Sequence, residues 1–150
     1  MAQFIAARSQ EKVQQLGFDR RDGGIRRQVS ALMKQVTRYV DIAARAGVIN
    51  LPHFETLLRT VNERIYTWDA SMALDDAQAR ALYDASEAIG IACDSVKAYF
   101  DVTAPGARSK ERVKLAFTPA RGKLIDFWQA IGDEKFLRRI RGNIAIGRYS

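Results

Sequence analysis

The chain has 150 residues, 47% hydrophobic and 27% charged, with one histidine, one cysteine and a formal charge of +7. That length suits one domain with a core of its own, no apolar run approaches the roughly 20 residues of a bilayer span, and the lone Cys93 can form no internal disulfide, which predicts a reducing, cytoplasmic setting. The charge is sorted along the chain: residues 1–50 hold nine Lys/Arg and four Asp/Glu, residues 51–105 four and nine, and residues 106–150 eleven and four.

From the N-terminus, Met1 to Arg8 has no charged leader followed by an apolar core, so no secretory signal is expected. Phe4, Ile5, Val13 and Leu16 allow a short helix over residues 3–16, stopped by Gly17. Arg20 and Arg21 lie in a loop that ends in Gly23-Gly24. The next helix, 25–46, organises the chain. Its apolar residues Ile25, Val29, Leu32, Val36, Tyr39, Ala43 and Ala46 alternate by four and three, a narrow seam suited to a partner helix in this chain or a neighbour's. Arg26 and Arg27 in its first turn oppose the helix dipole, which suits an external anion or a carboxylate.

Gly47 stops that helix, and Asn50 caps the next, with Pro52 tolerated in its first turn. Phe54, Leu57, Leu58, Val61, Ile65 and Trp68 mark its stripe to about Trp68. Asp75 with Gln78 three residues on resembles a capping box. It opens the longest helix, about 76–102, with a seam of Leu82, Ala85, Ile89, Ala92, Val96 and Tyr99. Pro105-Gly106 ends it. Ser109 can cap a helix to about Phe117, and Thr118-Pro119 has the order of a new helix start before Leu124, Phe127, Trp128 and Ile131. Gly132 closes that helix, and Asp133 to Arg141 makes two more turns around Phe136, Leu137 and Ile140. Ile144 and Ile146 alternate as in an extended arm.

The expected fold is an all-α bundle of about five to seven helices, one structural domain overall. It divides into an N-terminal helix and basic arm (1–24), a helical core (25–104) and a basic helical C-terminal region with an extended tail (107–150).

The residues offer little for catalysis. His53 has no second histidine, no cysteine pair exists for zinc, no Glu-x-x-His pair exists for a di-iron bundle, and Gly23-Gly24-Ile25-Arg26-Arg27 lacks the spacing and lysine of a phosphate loop. His53 reads as a helix-start or surface residue, Cys93 as a packed thiol. No cofactor, metal or small-molecule substrate is expected. The basic ends carry the candidate contacts. In the C-terminal block Arg108, Lys110, Arg112, Lys114, Arg121, Lys123, Arg138, Arg139, Arg141 and Arg148 interleave with Phe127, Trp128, Phe136 and Tyr149, a mixture able to hold phosphates and stack bases. The competing reading makes the aromatics core and the arginines a solvated or interchain face. Helical spacing favours core for Phe127 and Trp128, and Tyr149 suits an interchain contact.

Asp41-Ile42-Ala43-Ala44-Arg45-Ala46-Gly47-Val48 resembles the first helix and turn of the helix-turn-helix in LacI-type repressors, where the alanine packs on the second helix and the glycine makes the turn. That resemblance implies a DNA-binding regulator. The continuation departs from the pattern: Ile49-Asn50-Leu51-Pro52-His53-Phe54 puts apolar residues where base-reading side chains belong. The reading favoured by charge and seams is a non-enzymatic structural subunit of a multi-copy assembly, such as a phage virion or nucleoprotein complex. Its basic ends would meet neighbouring subunits, nucleic acid or both. A basic adaptor or inhibitor with one protein partner is a further alternative.

Overall fold

The computed structural model describes residues 24–72 and 74–142. Its elements are α1 Gly24–Ala46, α2 Leu51–Met72, α3 Asp76–Asp101, a 3-10 turn at Pro105–Ala107, α4 Lys110–Ile131 and α5 Glu134–Gly142. The fold is an all-α bundle. The expected helix at 3–16 and the extended arm at 143–150 lie outside the described residues.

Four helices run up-down-up-down, joined by short connections. α1 packs on α2 and α4, and α4 packs on α3. The antiparallel register is fixed by side chains: Arg121 of α4 reaches Asp41 of α1, Trp128 reaches Thr37, and Gln78 in the first turn of α3 reaches the Ala130 carbonyl near the end of α4. Phe54 of α2 and Phe117 of α4 meet edge to face across the middle, with ring centres 5.6 Å apart. Among the described residues α2 and α3 touch much less than the other neighbouring pairs, which leaves the fourth side of the bundle open there. α5 folds back along α1, on the side away from that opening: its start meets Lys34 and its end meets Arg45.

The helix ends follow from local chemistry. Asn50 Oδ1 accepts the His53 N–H at 3.3 Å. Asp75 accepts the Gln78 N–H at 2.8 Å while Gln78 Oε1 accepts the Asp75 N–H at 3.1 Å, a complete capping box. Ser109 Oγ accepts the Glu111 N–H at 3.2 Å. Asp133 Oδ1 accepts the Phe136 N–H at 3.0 Å and starts α5. Gly47 and Gly132 end α1 and α4 with φ of 70° and 87°.

Three sequence expectations need correction. α2 runs on to Met72, four residues past the expected end. The helix start at Thr118-Pro119 does not occur, and α4 is continuous from Lys110 to Ile131 with Pro119 inside it. Pro119 removes one backbone bond, but it faces solvent, and the Thr118 hydroxyl donates to the Lys114 carbonyl at 2.7 Å. Val113, Phe117, Ala120 and Leu124 stay buried on both sides of it, and that packing outweighs the lost bond. Finally, α1 is not held by a narrow seam. Val29, Val36 and Ala43 are buried as the spacing predicts, yet Leu32 and Tyr39 are only half-buried, and Met33, Thr37, Val40, Asp41 and Ala44 form a second buried row. The partners for this broad face are α2 and α4 of the same chain. Ile25 and Arg26 lie in α1, but their side chains fall outside the described ones.

Candidate functional site

Folding brings α1 together with α4 and α5, the described parts of the two basic blocks. α1, α4 and α5 carry fourteen Lys/Arg against four Asp/Glu, whereas α2 and α3 carry four against eight. Because α1, α4 and α5 lie on one side of the bundle and α2 and α3 on the other, the described bundle is electrically two-sided. The ion pairs reinforce the division. Lys34–Asp133, Arg45–Asp41 and Arg121–Asp41 tie the N-terminal block to itself or to the C-terminal one, and Lys114–Glu111 lies within α4.

The predicted contact residues fall into distinct groups. Arg121 is half-buried and turned inward: its Nε donates at 2.7 Å to Asp41, whose side chain is fully buried, and Arg45 donates to the same carboxylate oxygen at 3.3 Å. The same Arg45 Nη1 donates to the Ile140 carbonyl at 2.6 Å, so one buried acid joins α1, α4 and the end of α5. Of the predicted contacts among the described residues, Arg121 is the one committed to an ion pair with a buried acid inside its own bundle. Arg108 and Arg112 lie exposed over the rings of Phe100 and Tyr99, at 4.1 and 4.8 Å from the ring centres, and Arg108 also donates to the Phe100 carbonyl at 3.2 Å. Lys114 is half-buried beside Glu111. Arg27, Lys110, Lys123, Arg138, Arg139 and Arg141 are exposed. None of these six makes an ion pair among the described residues, and Arg138, Arg139 and Arg141 are grouped with exposed Lys135 on one short helix. Arg20, Arg21, Arg148 and Tyr149 lie outside the described residues.

The interleaved aromatics belong to the core. Phe127, Trp128 and Phe136 are buried, with Trp128 edge to face against both others at 5.1 and 4.9 Å. The Trp128 indole N–H donates to Thr37 Oγ1 at 3.0 Å, and that hydroxyl donates to the Met33 carbonyl at 2.7 Å. His53 is an exposed helix-start residue, its ring edge to face with Tyr39 at 5.4 Å. The helix-turn-helix-like segment forms the α1–α2 turn, where Gly47 lies against Lys110 of α4. At the start of α2, Leu51 and Phe54 are buried while Pro52, His53 and Thr56 face out.

Sequence reading missed Asp41 as the hub. The signal was present as an acid inside an apolar stripe with an arginine four residues on. It also missed Lys34, which pairs with Asp133 at 3.1 Å and sits 5.4 Å from the Phe136 ring centre. Partial burial alone would raise the Asp133 carboxyl. The Phe136 N–H, the Lys34 ammonium and the nearby Lys135 charge outweigh it and hold the carboxyl below its ordinary value. A carboxyl lowered in the folded state adds stability above its unfolded value, near 3.9, and loses that contribution as pH falls through its folded value. Asp133→Ala should therefore cost about 1 kcal/mol at neutral pH, the worth of a helix cap. The gap to the parent should close below about pH 4, read by denaturant unfolding at both pH values.

Among the described residues no group of three or more His, Cys, Asp or Glu could hold a metal, and no helix is long and apolar enough to cross a membrane. Cys93 is buried, and burial first, then the Glu55 and Asp94 carboxylates, push its thiol up to about 12, so it stays protonated at neutral pH. The chain matches no protein-family model, no curated protein and no solved structure.

Proposed function

We propose that this chain is a non-enzymatic structural subunit of a multi-copy assembly, of the kind found in virions and nucleoprotein complexes. Its contact surface is the basic face of α1, α4 and α5, which meets acidic neighbours or nucleic acid. The observation that carries this reading is the separation of charge onto opposite sides of the bundle, with Arg138, Arg139 and Arg141 presented outward on a short helix anchored at both ends. Arginine forks suit carboxylates and phosphates alike, and a rigid mount spares the ordering cost of a long side chain's support.

Light scattering after size exclusion, with an ultraviolet spectrum before and after a high-salt wash, tests the reading. The expected result is a salt-sensitive complex with itself or with polyanion. Arg138→Ala/Arg139→Ala/Arg141→Ala should lower the salt slope of polyanion binding by about one for each arginine that grips a phosphate. A strict monomer at high concentration that ignores heparin and oligonucleotides would overturn it.

A further inference from the structure

The open side of the bundle holds a groove of about 530 Å³ between α2 and α3. Leu58, Gly90 and Cys93 are among its lining residues, as are the acids Glu55, Glu63 and Asp94, with Arg59 and Lys97 as its two cations. Glu87 and Asp101 continue the acidic row along α3, each seven residues from Asp94 and so on the same helix face. Ile91, 63% exposed, stands next to Gly90. The carboxylates beside Cys93 that raise its thiol report the same negative field at the groove. Gly90 keeps the groove open: a Cβ added there would meet nothing within 4 Å.

We infer that this groove is the docking site for the basic α5 face of a second copy of the chain, an arrangement that rests on the assembly reading above and names its partner. Charge complementarity carries the choice of occupant. α5 offers Lys135, Arg138, Arg139 and Arg141 outward, and the groove offers three carboxylates on its two walls against Arg59 and Lys97, on a pair of helices with eight acids to four bases. The spacing agrees as well. At 1.5 Å per residue, Lys135 to Arg141 spans about 9 Å, Glu55 to Glu63 about 12 Å, and Glu87 to Asp94 about 10.5 Å. The apolar side of α5 is already used, with Phe136, Leu137 and Ile140 buried in its own bundle, so the contact is an arginine row entering a carboxylate-rimmed cleft. Since α5 and the groove lie on opposite sides of the molecule, two copies cannot satisfy both surfaces in a closed pair. The contact is heterologous and propagates into a ring or a filament.

Sedimentation velocity of the full chain over a concentration series tests this at about 0.1 M and about 1 M salt, where the Debye length falls from about 10 to about 3 Å. Mass should rise with concentration at low salt and return to monomer at high salt. Gly90→Leu, whose Cβ meets nothing within 4 Å and which favours the helix, puts a branched side chain into the groove and should weaken self-association by roughly tenfold or more, as should Arg138→Glu/Arg139→Glu/Arg141→Glu. Each variant keeps one working surface, so an equimolar mixture of the two should form a dimer and stop there. Monomers in that mixture, or a Gly90→Leu variant that assembles as the parent does, would overturn the inference. A parent chain that stays monomeric at both salts also overturns it. If that monomer binds an oligonucleotide and loses it on α5 charge reversal, the basic-face function stands with nucleic acid as partner. If it binds neither, both readings fall. Circular dichroism of each variant excludes misfolding as the cause.

Discussion

Asp41→Ala is expected to lower the unfolding free energy by about 3 kcal/mol, toward the lower end of the range for breaking a buried ion pair. Asp41 has no exposed surface, and one of its oxygens accepts from both Arg121 and Arg45. Removing it leaves two guanidinium groups facing a low-dielectric junction with no counter-charge, which costs more than the pairs themselves contribute. Both arginines keep 25% of their side-chain surface in water, so each recovers part of its hydration, and this sets the lower end. Against a total stability of roughly 5–15 kcal/mol, the loss is large. Denaturant unfolding of Asp41→Ala, Arg121→Ala and the double variant gives the coupling directly. A coupling above about 1 kcal/mol is expected, because the two residues touch. A single-variant cost below about 1 kcal/mol would show that apolar packing alone holds α1 to α4. Arg45→Ala should behave differently from Arg121→Ala, since Arg45 also holds the Ile140 carbonyl at the end of α5. Its loss should loosen α5 selectively, seen as faster amide exchange near residues 137–142.

Helix identity and the caps were legible in the sequence because they depend on neighbours a few residues away. Asp75 with Gln78, Ser109, Asn50 and Gly132 each announce an end through local hydrogen bonds or backbone conformation. The seam of Leu82, Ala85, Ile89, Ala92, Val96 and Tyr99 matches the buried face of α3 as far as Val96, whereas Tyr99 is half-buried and Ala79 and Cys93 are buried beside it. What failed were judgements that need the third dimension. Pro119 reads as a start because proline favours first turns, yet tertiary burial of Phe117 and Leu124 carries the helix through it. The α1 stripe looked narrow because the second row of Met33, Val40 and Ala44 is interrupted by the polar Thr37 and Asp41 and so did not read as a buried face. Both are buried because partners on α4, Trp128 and Arg121, arrive from far along the chain. For the candidate site, charge counts located the basic blocks but could not show that α1, α4 and α5 lie on one side. Nor could they show that Arg121 turns inward to Asp41 while Arg138, Arg139 and Arg141 stay outside. The α2–α3 groove left no sequence trace, since a seam that fails to close depends on where four helices sit.

Gly47→Ala should destabilise the bundle by roughly 2–5 kcal/mol, from two separable causes. Gly47 has φ of 70°, and an alanine held there costs about 1–2 kcal/mol in backbone conformation. Its added Cβ would also run into the Lys110 carbonyl oxygen and lie 2.6 Å from the Lys110 Cβ. Most of that obstruction is the first turn of α4, which cannot swing aside like a side-chain tip, so the α1–α2 turn and the start of α4 must part. Overpacking of that kind costs about 1–3 kcal/mol more. Gly132→Ala is the control. Gly132 also has positive φ, 87°, but its Cβ would meet nothing within 4 Å, so only the conformational cost of about 1–2 kcal/mol applies. The difference between the two variants, measured by denaturant unfolding at one temperature, isolates the close approach of α4 to the turn. Equal losses would mean that α4 yields freely at Lys110. A larger loss for Gly47 would show that the short turn between α1 and α2 is a packing surface for the start of α4. In that case its glycine answers to α4 as much as to the end of its own helix.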